Sequence, residues 1–185
     1  MHRYSLGRAT VELVQGDITQ ADTVAIANAA NAMLMGGGGV DGAIHRAAGP
    51  RLMDALRELK RELPGGVLET GGAVVTPGFD LGAKFVIHCA GPIYSREGQR
   101  AASLLAFCYM RSLKLCRERK IASISFPSIS TGIYGYPVEE AAPVALEAVK
   151  RGLSEQDVPS LVRFVLFDAP TLEAYRSAAE RVFGG

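Results

Sequence analysis

The sequence predicts an α/β domain of three α/β/α layers around a mixed, mostly parallel sheet, and three observations predict it. Strand-like and helix-like segments alternate along the chain, several strand segments are continuous apolar runs of the kind covered on both faces, and the helical segments carry an apolar stripe. A hairpin-like opening, and a pair of strands between the second helix and the long one, call for some antiparallel pairing, which makes the sheet mixed.

Val11 and Leu13 alternate with Glu12 and lead into Gln15-Gly16-Asp17, a strand ending in a turn. Residues 24–27 are a short apolar run suited to a strand buried on both faces. Residues 40–48 read as a helix, and Leu52, Leu56, Leu59 and Leu63 then mark an amphipathic helix closed by Pro64-Gly65-Gly66. Residues 72–76 and 85–89 are the next strands. Leu105, Cys108, Tyr109, Leu113 and Cys116 line one face of a long helix, whose basic end at Arg117, Arg119 and Lys120 suits the negative pole of the helix dipole. Residues 124–127 form a strand leading into the small-residue loop Ser128-Ile129-Ser130-Thr131-Gly132. Pro137 fits the first position of the next helix, which carries Val138, Ala141, Ala145, Leu146 and Val149. Residues 162–167 are a late buried strand. A terminal helix beginning near Thr171 buries Leu172, Tyr175, Ala179, Val182 and Phe183.

A chain of 185 residues with 48% hydrophobic content and no linker is expected to form one domain over residues 1–185. Twenty basic residues against nineteen acidic ones leave a net charge of +1, which gives no overall electrostatic case for nucleic acid or a membrane surface. Cys89, Cys108 and Cys116 are odd in number and lack a C-x-x-C spacing, as expected of reduced thiols in a cytosol. With no signal-like or membrane-length apolar stretch, the expectation is a soluble, cytoplasmic protein.

The chemistry concentrates at the glycine run 36–39, which follows Asn28-Ala29-Ala30-Asn31 and continues into Val40-Asp41-Gly42. Glycine loses more backbone entropy on folding than any other residue, so four in a row fit a place where the backbone takes unusual dihedrals or approaches a ligand closely. Between a strand and a helix N-terminus, free N–H groups and the helix dipole face an anion together, and a phosphate is the natural guest. Gly37-x-Gly39-x-x-Gly42 formally satisfies the dinucleotide fingerprint. It follows the second apolar strand rather than the first, however, and the acidic residue expected about twenty positions on is replaced by an amphipathic helix. A P-loop is excluded because no Lys-Ser or Lys-Thr follows the glycines. A plain flexible loop remains open on the glycines alone.

The neighbouring motifs narrow this. Gln15-Gly16-Asp17-Ile18-Thr19, Asn28-Ala29-Ala30-Asn31, the segment from Gly36 through Val40-Asp41-Gly42 to His45, and Ser130-Thr131-Gly132-Ile133-Tyr134-Gly135-Tyr136-Pro137 resemble, in order and spacing, the signature segments of the macrodomain family. The unbroken glycine run before Val-Asp-Gly resembles its MacroD-type branch. The resemblance spans nearly the whole chain and implies an ADP-ribose ligand and a mixed sheet between helices. The pattern is departed from in two places: Ala27 stands where a larger aliphatic is usual, and Cys89-Ala90, before Gly91-Pro92, stand where Thr-Val is typical.

The matched residues have roles that the resemblance implies and physics can rationalise. Asp17 can accept from the exocyclic amine of adenine, with turn or helix cap as its commoner alternative. Ile18 beside it, and Phe167 as a stacking ring, complete the adenine end; a strand Phe is equally a core residue. Gly37, Gly38, Gly39 and Val40 on one loop, and Ser130, Thr131, Gly132, Ile133 and Tyr134 on the other, cradle the diphosphate through backbone dipoles, with no lysine or arginine from either loop. Asn28 joins the ligand set. Asn31 offers donor and acceptor to the distal ribose hydroxyls, and Asp41 is the candidate base that orients a water. An unpaired carboxylate there is repelled by the diphosphate, which favours proton acceptance while weakening ground-state binding. Tyr134 packs over the distal ribose as the third catalytic candidate, whereas Tyr136 is less committed. His45 and His88 lack further ligands at metal spacing and are expected to be structural; no metal or other cofactor is called for. The implied function is hydrolysis of O-acetyl-ADP-ribose or of mono-ADP-ribose on acidic protein side chains. The alternative is a reader of ADP-ribosylated proteins without turnover.

Overall fold

The computed structural model describes residues 1–154 and 157–184. Its strands are β1 (His2–Leu6), β2 (Ala9–Gln15), β3 (Ala25–Ala30), β4 (Ala73–Pro77), β5 (Phe85–Ala90), β6 (Ser123–Phe126) and β7 (Leu161–Leu166). The helices are α1 (Gly39–Ala48), α2 (Arg51–Lys60), α3 (Tyr94–Glu97), α4 (Ala101–Glu118), α5 (Val138–Ser154) and α6 (Ala169–Phe183). One seven-stranded sheet runs in the order β1-β2-β7-β6-β3-β5-β4. Its five inner strands are parallel, and the edge strands β1 and β4 pair antiparallel with β2 and β5, so the sheet is mixed and mostly parallel as expected.

Side-chain alternation explains the continuous apolar runs. Ala25 and Ala27 of β3, Ile87 and Cys89 of β5, and Val162 and Phe164 of β7 face the core shared with α4, α5 and α6. The intervening Ile26, Val86 and Val165 face a second core under α1 and α2. Both faces of the central strands are therefore dry, which is why no polar alternation marks them.

Local chemistry accounts for several boundaries. Asp168 accepts from the Thr171 N–H at 2.9 Å and caps α6, which starts at Ala169, ahead of the expected Thr171. Pro137 lies just before α5, with its carbonyl accepting from the Glu140 and Ala141 N–H groups. β7 ends at Leu166 and leaves Phe167 outside the strand. The short α3 had no sequence signal of its own. Among the described residues no helix is long and apolar enough to cross a membrane.

Because the inner strands are parallel, their C-terminal ends share one edge of the sheet. The segments that leave it at Gly16, Asn31, Gly91, Pro127 and Phe167 all reach the same cleft. Ligand sites of open α/β sheets collect at that edge.

Candidate functional site

The cleft has a volume of about 700 Å³. Its first wall is the glycine loop and the start of α1. Gly36 and Gly39 have φ of +78° and +57°, the left-handed region that glycine reaches without strain, which carries the chain from the end of β3 into the helix. A Cβ on Gly42 would sit 2.5 Å from the Gly37 carbonyl oxygen, so the close packing of this loop on α1 depends on a glycine inside the helix.

Asn31 closes the same loop. Its Nδ2 donates to the Gly36 carbonyl at 2.9 Å and its Oδ1 accepts from the Met35 N–H at 3.3 Å. Each end of the amide thus holds the loop, and only the second amide proton and the second lone pair are left for a ligand in the cleft.

Asp41 lies in the first turn of α1 and is 6% exposed. The expectation of an unpaired carboxylate is corrected. Oδ1 accepts from Asn28 Nδ2 at 2.7 Å and lies 3.3 Å from His45 Nε2, one turn along the helix. A Cβ built on Gly37 would lie 3.5 Å from Oδ2, so glycine keeps the space beside the second oxygen open. His45 thus stands behind Asp41 as a satisfied partner and does not line the cleft, in keeping with the structural role expected of it. The signal was present: an i,i+4 pair on one helix face.

Asn28 and His88 sit together beneath this wall. Both are fully buried, and neither lines the cleft, so Asn28 supports Asp41 from below where a ligand contact was expected. Burial, followed by the charge of His45, pushes the His88 imidazole down to about 3 and keeps it neutral.

The second wall is the 127–134 segment. Ser130 takes φ +67° without being a glycine, and its buried Oγ has no protein partner. The loop is pinned from the core by two buried phenols. Tyr109 of α4 donates to the Pro127 carbonyl at 3.4 Å and accepts from the Ile129 N–H at 3.2 Å, and Tyr175 of α6 donates to Ser128 Oγ at 3.1 Å. Thr131 Oγ1 adds contacts of 2.9–3.0 Å to Ser128. These anchors leave Ser130, Thr131 and Gly132 lining the cleft, with Ile133 91% exposed at its rim. Tyr134 stands at the Asp41 end: its phenol is held above the usual range by partial burial and then by the Asp41 charge. Tyr136 is buried against Tyr94, with ring centroids 4.8 Å apart, and does not line the cleft.

At the far end Asp17 takes the cap role, its Oδ1 accepting from the Thr19 N–H at 2.9 Å and from Thr19 Oγ1 at 2.7 Å. Oδ2 remains available beside Ile18. Phe167 is 80% exposed and lines the cleft, so its core reading is corrected. Arg46 of α1 also lines the cleft. Neither loop supplies a cation, but the helix that follows the glycine loop does; sequence reading treated Arg46 only as part of that helix.

A cleft with an exposed aromatic ring at one end, two small-residue loops along it and a buried carboxylate at the other can hold an elongated ligand. The comparisons agree. The Macro domain family model matches residues 27–145. An O-acetyl-ADP-ribose deacetylase of Salmonella typhimurium is 47% identical over 165 residues, covering 89% of this chain and 91% of its own length. A Macro domain-containing protein of Chlorobaculum tepidum is 49% identical over 168 residues, 91% of this chain and 94% of the relative. Among solved structures, a mutant Oceanobacillus iheyensis macrodomain with ADPR superposes at a TM-score of 0.96 with 44% identity, covering 100% of this chain and 99% of that one. The Trypanosoma brucei macrodomain in complex with ADP-ribose does so at 0.81 with 35% identity, covering 91% and 68%. With its fold, its cleft and its sequence in agreement, the chain belongs to the Macro domain family.

Proposed function

We propose that the protein is an ADP-ribose-binding hydrolase that removes the acetyl group from O-acetyl-ADP-ribose and, by the same ester chemistry, mono-ADP-ribose from acidic side chains of proteins. The observation that carries this reading is Asp41: a buried carboxylate anchored through one oxygen, at the end of the glycine loop, with its other oxygen beside Gly37. A reader module has no use for such a group, because a carboxylate beside the diphosphate weakens binding. Names of relatives support the deacetylase part; the action on proteins follows from the likeness of the two ester linkages.

In this reading adenine lies against Phe167 with its amine on Asp17 Oδ2 and Ile18 beside it. The diphosphate lies between Gly37, Gly38, Gly39 and Val40 on one side and Ser130, Thr131, Gly132 and Ile133 on the other, with N–H dipoles supplying the attraction. The distal ribose meets Asn31 and Tyr134. Asp41 accepts a proton from a water as that water's oxygen bonds to the ester carbon and returns it to the oxygen that leaves as the ester C–O bond breaks, releasing a ribose hydroxyl and a carboxylic acid. We place the whole activity in one domain over residues 1–185 and in the cytoplasm, a placement that the three buried free thiols favour.

Calorimetry with ADP-ribose, followed by a deacetylation assay of wild type against Asp41→Ala, tests the reading. Tight binding with no turnover of either substrate by the wild type would establish the reader instead. Isotope-labelled water locates the attack, since label in the released acetate excludes the anomeric carbon for that substrate.

A further inference from the structure

We propose that Asn28 and His88, which lie beneath the cleft and outside it, are positioning residues that fix the orientation of the Asp41 carboxylate and so determine which of its oxygens meets the substrate. The inference deepens the hydrolase reading and rests on it.

The geometry comes from the sheet. β3 and β5 are parallel neighbours whose register places Asn28 opposite His88. By the period-two alternation both point to the face that Ile26 and Val86 cover, the face under α1. Thr76 of β4 lies within 3.1 Å of the Pro77 carbonyl oxygen and 2.9 Å of His88 Nε2. A carbonyl can only accept, so the single hydroxyl proton goes to Pro77 and the hydroxyl oxygen accepts from His88 Nε2–H. That assigns the tautomer: Nδ1 carries a lone pair, and Asn28 Nδ2 donates to it at 3.2 Å. The other amide proton of Asn28 goes to Asp41 Oδ1 at 2.7 Å.

The network admits one orientation. Turning the Asn28 amide over would set its oxygen against the His88 lone pair and the Asp41 carboxylate, two acceptors facing a third. In the orientation present, Asn28 Oδ1 is buried without a hydrogen-bond partner among the described residues. An unsatisfied buried carbonyl lowers stability, and such violations concentrate at functional sites. With Oδ1 of Asp41 occupied by Asn28 and flanked by His45, Oδ2 is the oxygen left to the cleft.

Two substitutions separate positioning from bulk. His88→Gln keeps a donor toward Thr76 but has no acceptor at the Nδ1 position, whereas His88→Asn places an amide oxygen there. We expect His88→Gln to lower kcat for O-acetyl-ADP-ribose by about 10- to 100-fold, the scale of misorientation from outside the reacting groups. ADP-ribose affinity should be unchanged, and His88→Asn should restore most of kcat. Equal kcat losses in the two variants, or affinity falling in step with kcat, would overturn the proposal. Should His88→Gln fail to fold, Thr76→Val releases the same tautomer from the edge strand, and an unaltered kcat there counts against the proposal. Crystal structures separate this inference from the hydrolase reading. An Asp41 carboxylate unmoved in the folded variant, His88→Gln or Thr76→Val, overturns the positioning role whatever the turnover. A displaced carboxylate beside an inactive wild type supports that role and overturns the hydrolase reading alone.

Discussion

The two walls of the cleft hold their functional groups by different means. On the α1 wall side chains stand beside the glycine-loop backbone: Asn31 is set by its bonds to that loop, and Asp41 by Asn28 and His45. On the 127–134 wall the groups are backbone N–H groups, set by an unusual dihedral at Ser130 and by Tyr109 and Tyr175 reaching out of the core. The first arrangement suits chemistry, where one atom must be aimed. The second, like the glycine loop opposite it, suits recognition of an anion, where several dipoles must converge and side-chain identity matters little. The comparison makes a division of labour: changes to the aimed side chains of the first wall should move kcat, and changes to the backbone of either wall or its supports should also move affinity or stability.

The sharpest way to break that division is Asp41→Ala. We expect turnover of O-acetyl-ADP-ribose to fall by about 10² or more while calorimetry still detects ADP-ribose binding, on the scale of general acid–base catalysis. Wild-type turnover in this variant would remove Asp41 from the mechanism. Gly42→Ala tests the backbone of the same wall, since the new Cβ would lie 2.5 Å from the Gly37 carbonyl oxygen. Overpacking costs about 1–3 kcal/mol, so a loss of about tenfold in both kcat and ADP-ribose affinity is expected, and unchanged values of both would show that the loop relaxes freely.

Phe167→Ala probes a region belonging to neither wall. The ring is 80% exposed, so thermal stability should hold while ADP-ribose affinity drops by about 1–3 kcal/mol, the range for stacking of a base on an aromatic ring. Affinity equal to wild type would take Phe167 out of the site. On the second wall, Tyr109→Phe strips the hydroxyl that accepts from the Ile129 N–H and leaves that buried donor unsatisfied. The cost is about 1–3 kcal/mol, seen in a scanning experiment as a Tm lower by roughly 2–4 °C per kcal/mol, with kcat little changed. A large kcat loss at constant Tm would contradict the division.

A last effect concerns pH. His88 is depressed in the folded state from 6.5 to about 3, by burial first and then by the His45 charge, so the folded ring stays neutral while the unfolded one takes a proton. The contribution is fully present above about 6.5 and is lost as pH falls toward 3, at up to about 1.4 kcal/mol per pH unit. The Tm advantage of wild type over His88→Asn should therefore narrow between pH 7 and pH 4. Parallel Tm curves for the two proteins would show that His88 takes up a proton without penalty.

Much of this was legible in the chain. The glycine run, the turn at Asp17 and the small-residue loop at 128–132 are local signals, because turn conformation and helix starts are decided by residues close in sequence. The continuous apolar runs at 24–27 and 85–89 foretold strands with two covered faces, and the hairpin-like opening and the paired strands after α2 foretold some antiparallel pairing. Less could be read of Asn28. Its neighbours Asp41 and His88 lie 13 and 60 positions away, and nothing in the motif around it says that its amide faces inward. Phe167 was ambiguous because one residue more or less of β7 turns a side chain from core to cleft.

By itself, then, the sequence determined the layers, the strand and helix order and the place of the two loops, since each follows from apolar periodicity and the dihedral freedom of particular residues. Only the tertiary structure decided which side chains reach the cleft and which stand behind it. That depends on sheet register and on strand parity, which set Asn28 beside His88 under α1 and brought Tyr109, from a helix on the opposite face, to the base of the second loop.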